Sequence, residues 1–206
     1  MKYTSLLLLL SFILYTCTNP ETKTERLPYL GMNEISESGD TIRHTIQPFS
    51  FLSQDSVIIT EEYLKDKITI VDFFFSTCPT ICPIMSTNMR ELQQLWETES
   101  SIQFLSHTVD PETDTPNRLK RYAERKNADL KNWQFVTGGK NELYTQGLRS
   151  YLVSTQEDVL APGGFLHSSL FALIDKNLHL RGVYDGTSKE EIELLNKDIK
   201  ILLNEK

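Results

Sequence analysis

Two of the chain's three cysteines lie four positions apart in one short stretch. Cys78 and Cys82 belong to FFFSTCPTICPIM, residues 73–85, and a proline follows each of them. A proline biases the preceding residue towards extended backbone and suits the first turn of a helix, so the pattern predicts a tight loop that ends at a helix N-terminus. Unpaired N–H groups at such a terminus favour a thiolate over a thiol. The pair is therefore a candidate for chemistry.

Three interpretations of the cysteine pair compete. A disulfide between Cys78 and Cys82 would close a small ring and constrain little chain, so a purely structural bridge would add little stability. Redox exchange between dithiol and disulfide is the second interpretation, and metal binding by two thiolates is the third. The Cys-x-x-x-Cys spacing does not distinguish redox exchange from metal binding. A third side chain near the two cysteines has to distinguish them.

The chain offers four histidines as that third group. His44 and His179 lie in strand patterns beside turn signals, which is typical of surface or edge residues. His107 lies near the end of a predicted strand, where a core or rim histidine with a local hydrogen bond is the ordinary interpretation. His167 differs, because the Pro-Gly-Gly loop of APGGFLHSSLF leads directly to it at the start of a predicted core strand.

Local patterns predict the elements that position these residues. Apolar periodicity, turn residues and capping residues indicate the following order. The predicted elements are a hairpin at 35–46, a hairpin at 49–59, a short helix capped by Thr60, a strand at 67–75, a helix from Pro83, a strand at 101–109, a helix begun by Asp114 or Thr115, a strand at 133–138, a helix at 140–152, strands at 168–175 and 178–186, and a last helix begun by Ser188.

This order predicts an α/β protein with a thioredoxin-like fold, in which helices flank a central mixed sheet and a β-hairpin extends the N-terminus. The cysteine pair then follows the first core strand, at the edge where open α/β sheets hold their sites. In such a sheet the loop that carries His167 packs beside the cysteine loop. Two thiolates and an imidazole form a soft set of three ligands that suits copper, whereas structural zinc would require a fourth. Met85 shares helical spacing with Met89 and is assigned to the core.

The N-terminus has a different composition. Residues 1–16 contain one lysine and an apolar run that is too short to span a bilayer comfortably, which predicts a signal peptide. Cys17 follows directly and resembles the lipidated cysteine of bacterial lipoproteins, although Tyr15 and Thr16 stand where that pattern prefers small residues. We therefore predict that Cys17 is lipidated after cleavage, that residues 17–31 form a polar tether, and that residues 32–206 form the domain.

Length and charge limit the remaining function classes. A chain of 206 residues is long enough for one domain with a proper core. Its net charge of −7 argues against nucleic acid as a partner, because nucleic acid favours a basic surface. Export would place the cysteines where disulfides persist.

Three segments of the chain resemble motifs of the Sco/SenC proteins, which are copper-binding factors with a thioredoxin fold for assembling cytochrome c oxidase. They are FFFSTCPTICP, HTVDPETDTP and FLHSSLFALID, in that order, and the likeness covers roughly residues 45–205. The resemblance implies copper, as Cu(I) or Cu(II), held by Cys78, Cys82 and His167. It also places the family's Val-Asp-Pro aspartate at Asp110, near the metal loop, although a turn residue before Pro111 is an equal interpretation.

The resemblance implies a copper chaperone and not an enzyme. The protein would pass copper to the binuclear centre in the copper-bearing subunit of cytochrome c oxidase, and it would also reduce that target's cysteines. Many family members are held by a transmembrane helix, whereas this chain is expected to be an exported, membrane-anchored lipoprotein facing the periplasm or the cell exterior, with its lipid on Cys17.

Two other functions stay open at the level of sequence. The alternative is a membrane-tethered thiol-disulfide oxidoreductase of the thioredoxin/peroxiredoxin-like class. Its weaknesses are the three-residue spacer between the cysteines and the position of His167, which stands near the place of the proline that thioredoxins use for substrate docking. The third candidate function is a partner-binding domain, in which a disulfide between the two cysteines would only shape the loop. His167 separates them best, because thiol exchange can survive its loss and a three-ligand site cannot.

Overall fold

The computed structural model describes residues 26–157 and 165–205, and the side chains of 26–154 and 168–205. The predicted signal peptide 1–16 and Cys17 lie outside the described residues. The helices are α1 Cys82–Leu95, α2 Pro116–Arg125, α3 Lys140–Ser150 and α4 Lys189–Asn204, with a 3₁₀ turn at Glu61–Leu64. The strands are β1 Glu34–Ile35, β2 Thr41–Ile42, β3 Ser50–Ser53, β4 Ile58–Thr60, β5 Ile68–Phe74, β6 Ile102–Thr108, β7 Trp133–Thr137, β8 Thr155–Glu157, β9 Phe165–His167, β10 Leu170–Ile174 and β11 Leu180–Asp185.

Seven of these strands form the central sheet, in the order β11-β10-β5-β6-β7-β3-β4. β5, β6 and β7 run parallel, and the other neighbouring pairs are antiparallel. Every residue of β5 and β6 is buried, because the sheet is covered on both faces. This burial explains why the sequence of β5 shows no alternation of apolar and polar residues. The predicted mixed sheet flanked by helices is confirmed.

The register of β5 and β6 assigns residues to the two faces of the sheet. Phe73 pairs with His107, and the next residue along each strand points to the opposite face. On that opposite face, the ring of Phe74 packs against Tyr122 of α2 and Phe135 of β7. Helix α2 is therefore fixed to the end of β5 that leads into the cysteine loop.

The predicted starts of the 3₁₀ turn, α2 and α4 agree with the structure. Thr60 caps the 3₁₀ turn by accepting a hydrogen bond from the Glu62 N–H. Ser188 caps α4 by accepting one from the Glu191 N–H. Thr115 occupies the N-cap position of α2, but its side chain makes no capping hydrogen bond.

Two small sheets are separate from the central one. β1 and β2 form the predicted N-terminal hairpin. β8 and β9 form a second two-stranded sheet, in which Thr155 pairs with His167. The sequence predicted a loop before the core strand at 168–175, and that prediction is wrong for Phe165–His167. Strands of three residues are too short to show a periodic pattern, which is why the second pair was missed.

A buried arginine holds the first described residues against the domain. Nη1 of Arg181 lies 2.9 Å from a carboxylate oxygen of Asp175 and 2.7 Å from one of Glu205. Its other nitrogens donate to the carbonyl oxygens of Leu27 and Pro28. The last residues of the predicted tether are therefore packed against the start of β11 and the end of α4.

We expect Arg181→Met to lower the free energy of unfolding by about 3 kcal/mol, because two largely buried carboxylates would lose their cation. Urea denaturation measures this change. Lys65→Met is the matched control, since Lys65 pairs with Glu62 on the exposed surface and its loss should have no measurable effect. An Arg181→Met protein as stable as the parent would show that the ion pairs of Arg181 do not stabilise the fold.

Candidate metal centre

The cysteine loop runs from the end of β5 to the start of α1. Cys82 is the first residue of α1, Pro83 the second, and Ile81 the N-cap, so the helix starts one residue earlier than predicted. Cys78 is 8% exposed and Cys82 is 1% exposed. The backbone N–H of Cys82 donates to Sγ of Cys78 over 3.4 Å. The loop therefore brings two soft sulfur donors together at the carboxyl end of a core strand.

We predicted that the helix N-terminus favours a thiolate over a thiol, and this prediction is wrong for Cys82. A hydrogen bond with Cys78, burial, and the negative charges of Cys78 and Asp72 raise the pKa of Cys82, and a backbone contact with Phe75 opposes them only in part. In the metal-free pair, Cys82 therefore keeps its proton. Its release is part of metal binding, because a thiolate is the ligand.

The first turn of α1 explains why the helix terminus does not offset this effect. Pro83 has no N–H, and the N–H groups of Ile84 and Met85 both donate to the Ile81 carbonyl oxygen. The remaining N–H, that of Cys82, points at the Cys78 sulfur. This N–H therefore donates to the sulfur of Cys78 and not to that of Cys82.

A buried carboxylate holds the base of the cysteine loop. Asp114 is fully buried, and its Oδ2 accepts hydrogen bonds from the Ser76 N–H at 3.0 Å and the Thr108 hydroxyl at 2.7 Å. Arg118 lies 3.6 Å from the other carboxylate oxygen and donates from Nε to the Ser76 hydroxyl at 2.7 Å. Asp114 was predicted only as a candidate helix cap, so this network was missed.

Two further hydrogen-bond networks lie next to the cysteine loop, one at the first turn of α1 and one on β5. The Ser86 hydroxyl donates to the Cys82 carbonyl oxygen and lies 2.6 Å from the Tyr122 hydroxyl, which ties the first turn of α1 to α2. On β5, Asp72 accepts a hydrogen bond from the Ser106 hydroxyl. Asp72 was also missed, and the available signal was an acidic residue inside an otherwise apolar strand.

The backbone of His167 is described, and its side chain lies outside the described residues. β10 runs antiparallel to β5, with Ala172 opposite Val71 and Ile174 opposite Thr69. This register brings the start of β10 to the end of β5, where the cysteine loop begins. His167 ends β9, three residues before β10. Among the described side chains, no three His, Cys, Asp or Glu residues lie close enough together to hold a metal ion. The side chain of His167 is outside that set.

The structure assigns a turn role to Asp110. Its Oδ1 accepts a hydrogen bond from the Thr113 N–H, and its carbonyl oxygen accepts from the Asp114 N–H at 2.8 Å. Asp110 therefore closes the turn that leads from β6 to α2. A role near the metal is not tested by these contacts and stays a prediction.

His107 is a core histidine, as predicted, but its ring nitrogens make no hydrogen bond. Its ring stacks on Phe73 and has Phe49, Phe51 and Tyr151 around it. Burial lowers the pKa of His107 to about 3, and a backbone contact with Asp72 opposes this only in part. His107 therefore stays neutral at ordinary pH.

The other residues assigned to ordinary roles fit them. His179 Nδ1 lies 2.9 Å from the His44 carbonyl oxygen, and His44 Nε2 lies 3.0 Å from that of Ser150. Both histidines are partly buried and join segments of the chain. Met85 is fully buried in the core, as predicted.

Known proteins share the sequence pattern and the fold of this chain. A family model described as SCO1/SenC matches residues 38–204. The chain belongs to the SCO1/SenC family. A SCO1/SenC family lipoprotein from Bacillus anthracis superposes with a TM-score of 0.72 at 30% identity, covering 78% of this chain and 96% of that chain. BsSco, a member of the Sco family of cytochrome c oxidase assembly proteins in which a disulfide switch was identified, gives a TM-score of 0.73 at 27% identity and covers 88% and 100%.

A copper-bound structure has the same fold. ScoI of Bradyrhizobium japonicum with copper bound gives a TM-score of 0.65 at 24% identity and covers 77% of this chain and 99% of that chain. The predicted membership of the Sco/SenC family and the thioredoxin-like fold are thus confirmed. Within the described part of this SCO1/SenC protein, no helix is long and apolar enough to cross a bilayer.

Proposed function

We propose that this SCO1/SenC protein binds copper through Cys78, Cys82 and His167 and delivers it to the binuclear copper centre of cytochrome c oxidase. The observation that carries the proposal is the cysteine loop, where both cysteines are buried and the Cys82 N–H donates to the Cys78 sulfur. Soft thiolates bind Cu(I) and zinc, but a structural zinc site would need four ligands, whereas copper accepts two thiolates and one imidazole. The copper-bound relative with the same fold supports this assignment.

The same cysteines would serve a redox step. Two thiols of the pair would reduce a disulfide of the target, so that the pair becomes a disulfide and the target gains two thiols for its own copper. The disulfide switch identified in BsSco supports this chemistry for the pair. The step transfers electrons to the target and involves no catalytic turnover of a small substrate, so the protein acts as a chaperone and not as an enzyme.

The N-terminus would hold the protein at the membrane. We propose that residues 1–16 direct export, that Cys17 carries a lipid, and that the domain faces the periplasm or the cell exterior. The Bacillus anthracis relative is a lipoprotein, which supports the anchor. The packed segment from Leu27 to Leu30 would then be the point at which the tether joins the domain.

Copper titration of the reduced and the oxidised protein tests the metal site. We expect the reduced protein to bind a single copper ion tightly and the oxidised protein to bind none through this loop, because a disulfide sulfur is a poor ligand. The protein carrying both Cys78→Ser and Cys82→Ser is the control and should match the oxidised form. Tight copper binding by the oxidised form would contradict the proposed ligands.

A further inference from the structure

Helix α2 carries a concentration of positive charge in an acidic protein. Residues 116–126 hold five basic and one acidic side chain, whereas the rest of the chain holds 16 basic and 27 acidic ones. The family assignment and the metal site do not account for this helix. Its charges therefore require an explanation of their own.

The charges divide between two flanks of the helix. On one flank, Lys120 forms an ion pair with Asp55 at 2.8 Å. The other flank carries the remaining four basic residues at helical spacing, and we call it the basic stripe. The basic stripe consists of Arg118, Arg121, Arg125 and Lys126.

The basic stripe borders the cysteine loop. Arg118 donates to the hydroxyl of Ser76, which stands two residues before Cys78. The charged groups of Arg125 and Lys126 lie 5.7 Å and 5.4 Å from the centre of the Tyr122 ring. The Tyr122 hydroxyl in turn contacts Ser86 beneath Cys82, as described above. The stripe thus starts at the loop, and helical spacing places Arg121 between Arg118 and Arg125.

Most of the stripe's charge is unused inside the protein. Arg121 and Arg125 are exposed, and in the described part of the chain Arg121, Arg125 and Lys126 form no ion pair. These cations are therefore available to an anionic partner that approaches the cysteine loop.

The fold argues for a protein partner over a membrane. β11 runs in the same direction as β5, since both are antiparallel to β10. Leu30 bonds to Leu180 at the start of β11, whereas the cysteine loop follows the end of β5. A chain anchored at its N-terminus would thus enter the domain at the end of the sheet opposite the cysteine loop.

We infer that the basic stripe docks an acidic surface on the protein that takes copper from the cysteine loop. This inference rests on the proposed function and names the chemistry of its partner. Complementary charge steers the encounter and fixes its orientation, which brings the acceptor's ligands to Cys78 and Cys82. The stripe adds little to binding energy by itself and sets how fast a productive complex forms.

Charge reversal in the stripe tests the inference. The variant carries Arg121→Glu and Arg125→Glu, which leave Arg118 and its contact with Ser76 in place. The matched control carries Lys197→Glu and Lys200→Glu, which make the same charge change at exposed positions of α4. Each full-length protein is loaded with copper in detergent and mixed with the copper-depleted, copper-bearing subunit of the same cell's cytochrome c oxidase. The rate of copper transfer is then followed by stopped-flow absorption.

We expect the stripe variant to transfer copper roughly tenfold more slowly than the parent at low salt. The difference should vanish at about 0.5 M salt, where charges are screened over a few ångströms. The control should behave like the parent, and all three proteins should bind copper equally well.

Other outcomes separate the inference from the proposed function. If the parent transfers copper and the stripe variant matches its rate and salt dependence, the inference is overturned and the proposed function stands. If the parent binds copper but passes none to the subunit, both are overturned. Binding to phosphatidylglycerol vesicles is measured in parallel. A stripe variant that loses vesicle binding and keeps its transfer rate would replace the acidic protein surface with a membrane.

Discussion

His167→Ala should lose Cu(II) affinity by more than roughly 100-fold, because removing a group that merely supports a metal ligand already costs about 10–100-fold. Cu(II) prefers several ligands with nitrogen among them, whereas Cu(I) tolerates two thiolates. We therefore expect the variant to keep its Cu(I) binding and its reversible disulfide, and to fail in oxidase assembly. Cu(II) titration by visible absorption and paramagnetic resonance, beside oxidase activity in cells, measures these effects.

The variant should fold, because β9 pairs with β8 in a sheet separate from the seven-stranded one. His179→Ala is the matched control, since His179 stands just before β11, at the sheet end opposite the cysteine loop, and should leave Cu(II) binding intact. If His167→Ala bound Cu(II) like the parent and the oxidase matured normally, the chaperone proposal would give way to the thiol-disulfide oxidoreductase.

The elements that the sequence predicted correctly have local causes. The uninterrupted apolar run of β5 indicated a strand covered on both faces, and Pro83 indicated the start of α1 to within one residue. Thr60 and Ser188 were found because a cap acts within three residues of itself. Each of these signals is complete within a short window of sequence, so no knowledge of the fold was needed.

The features that were missed depend on contacts between distant parts of the chain. Asp114 bonds to Ser76, 38 residues earlier, and nothing near Asp114 in the sequence indicates that its carboxylate turns inwards. The raised pKa of Cys82 depends on where the Cys78 thiol and Asp72 lie in space. The helix N-terminus after the cysteine loop was predicted correctly. The expected preference for a thiolate at Cys82 was wrong, because the backbone N–H groups in the first turn of α1 already donate to other acceptors.

The contacts of Asp114 predict that it positions the cysteine loop. Asp114→Ala would leave the Ser76 N–H and the Thr108 hydroxyl without their acceptor and would remove the anion beside Arg118. We expect the free energy of unfolding to fall by about 3 kcal/mol. The loop should also open more often, and native-state alkylation of Cys78 and Cys82 by iodoacetamide should become faster.

Two further variants separate positioning from stability alone. Asp114→Asn keeps a carbonyl oxygen that can accept from Ser76 or Thr108, so it should restore the slow alkylation in part while the ion pair with Arg118 stays lost. Glu112→Ala changes a carboxylate in the same turn whose side chain is 82% exposed, and it should alter neither measurement. A destabilised Asp114→Ala protein whose cysteines react at the parent's rate would limit Asp114 to a structural role. Faster alkylation that Asp114→Asn reverses would instead mean that this buried carboxylate sets the access of reagents, and so of copper, to the thiol pair.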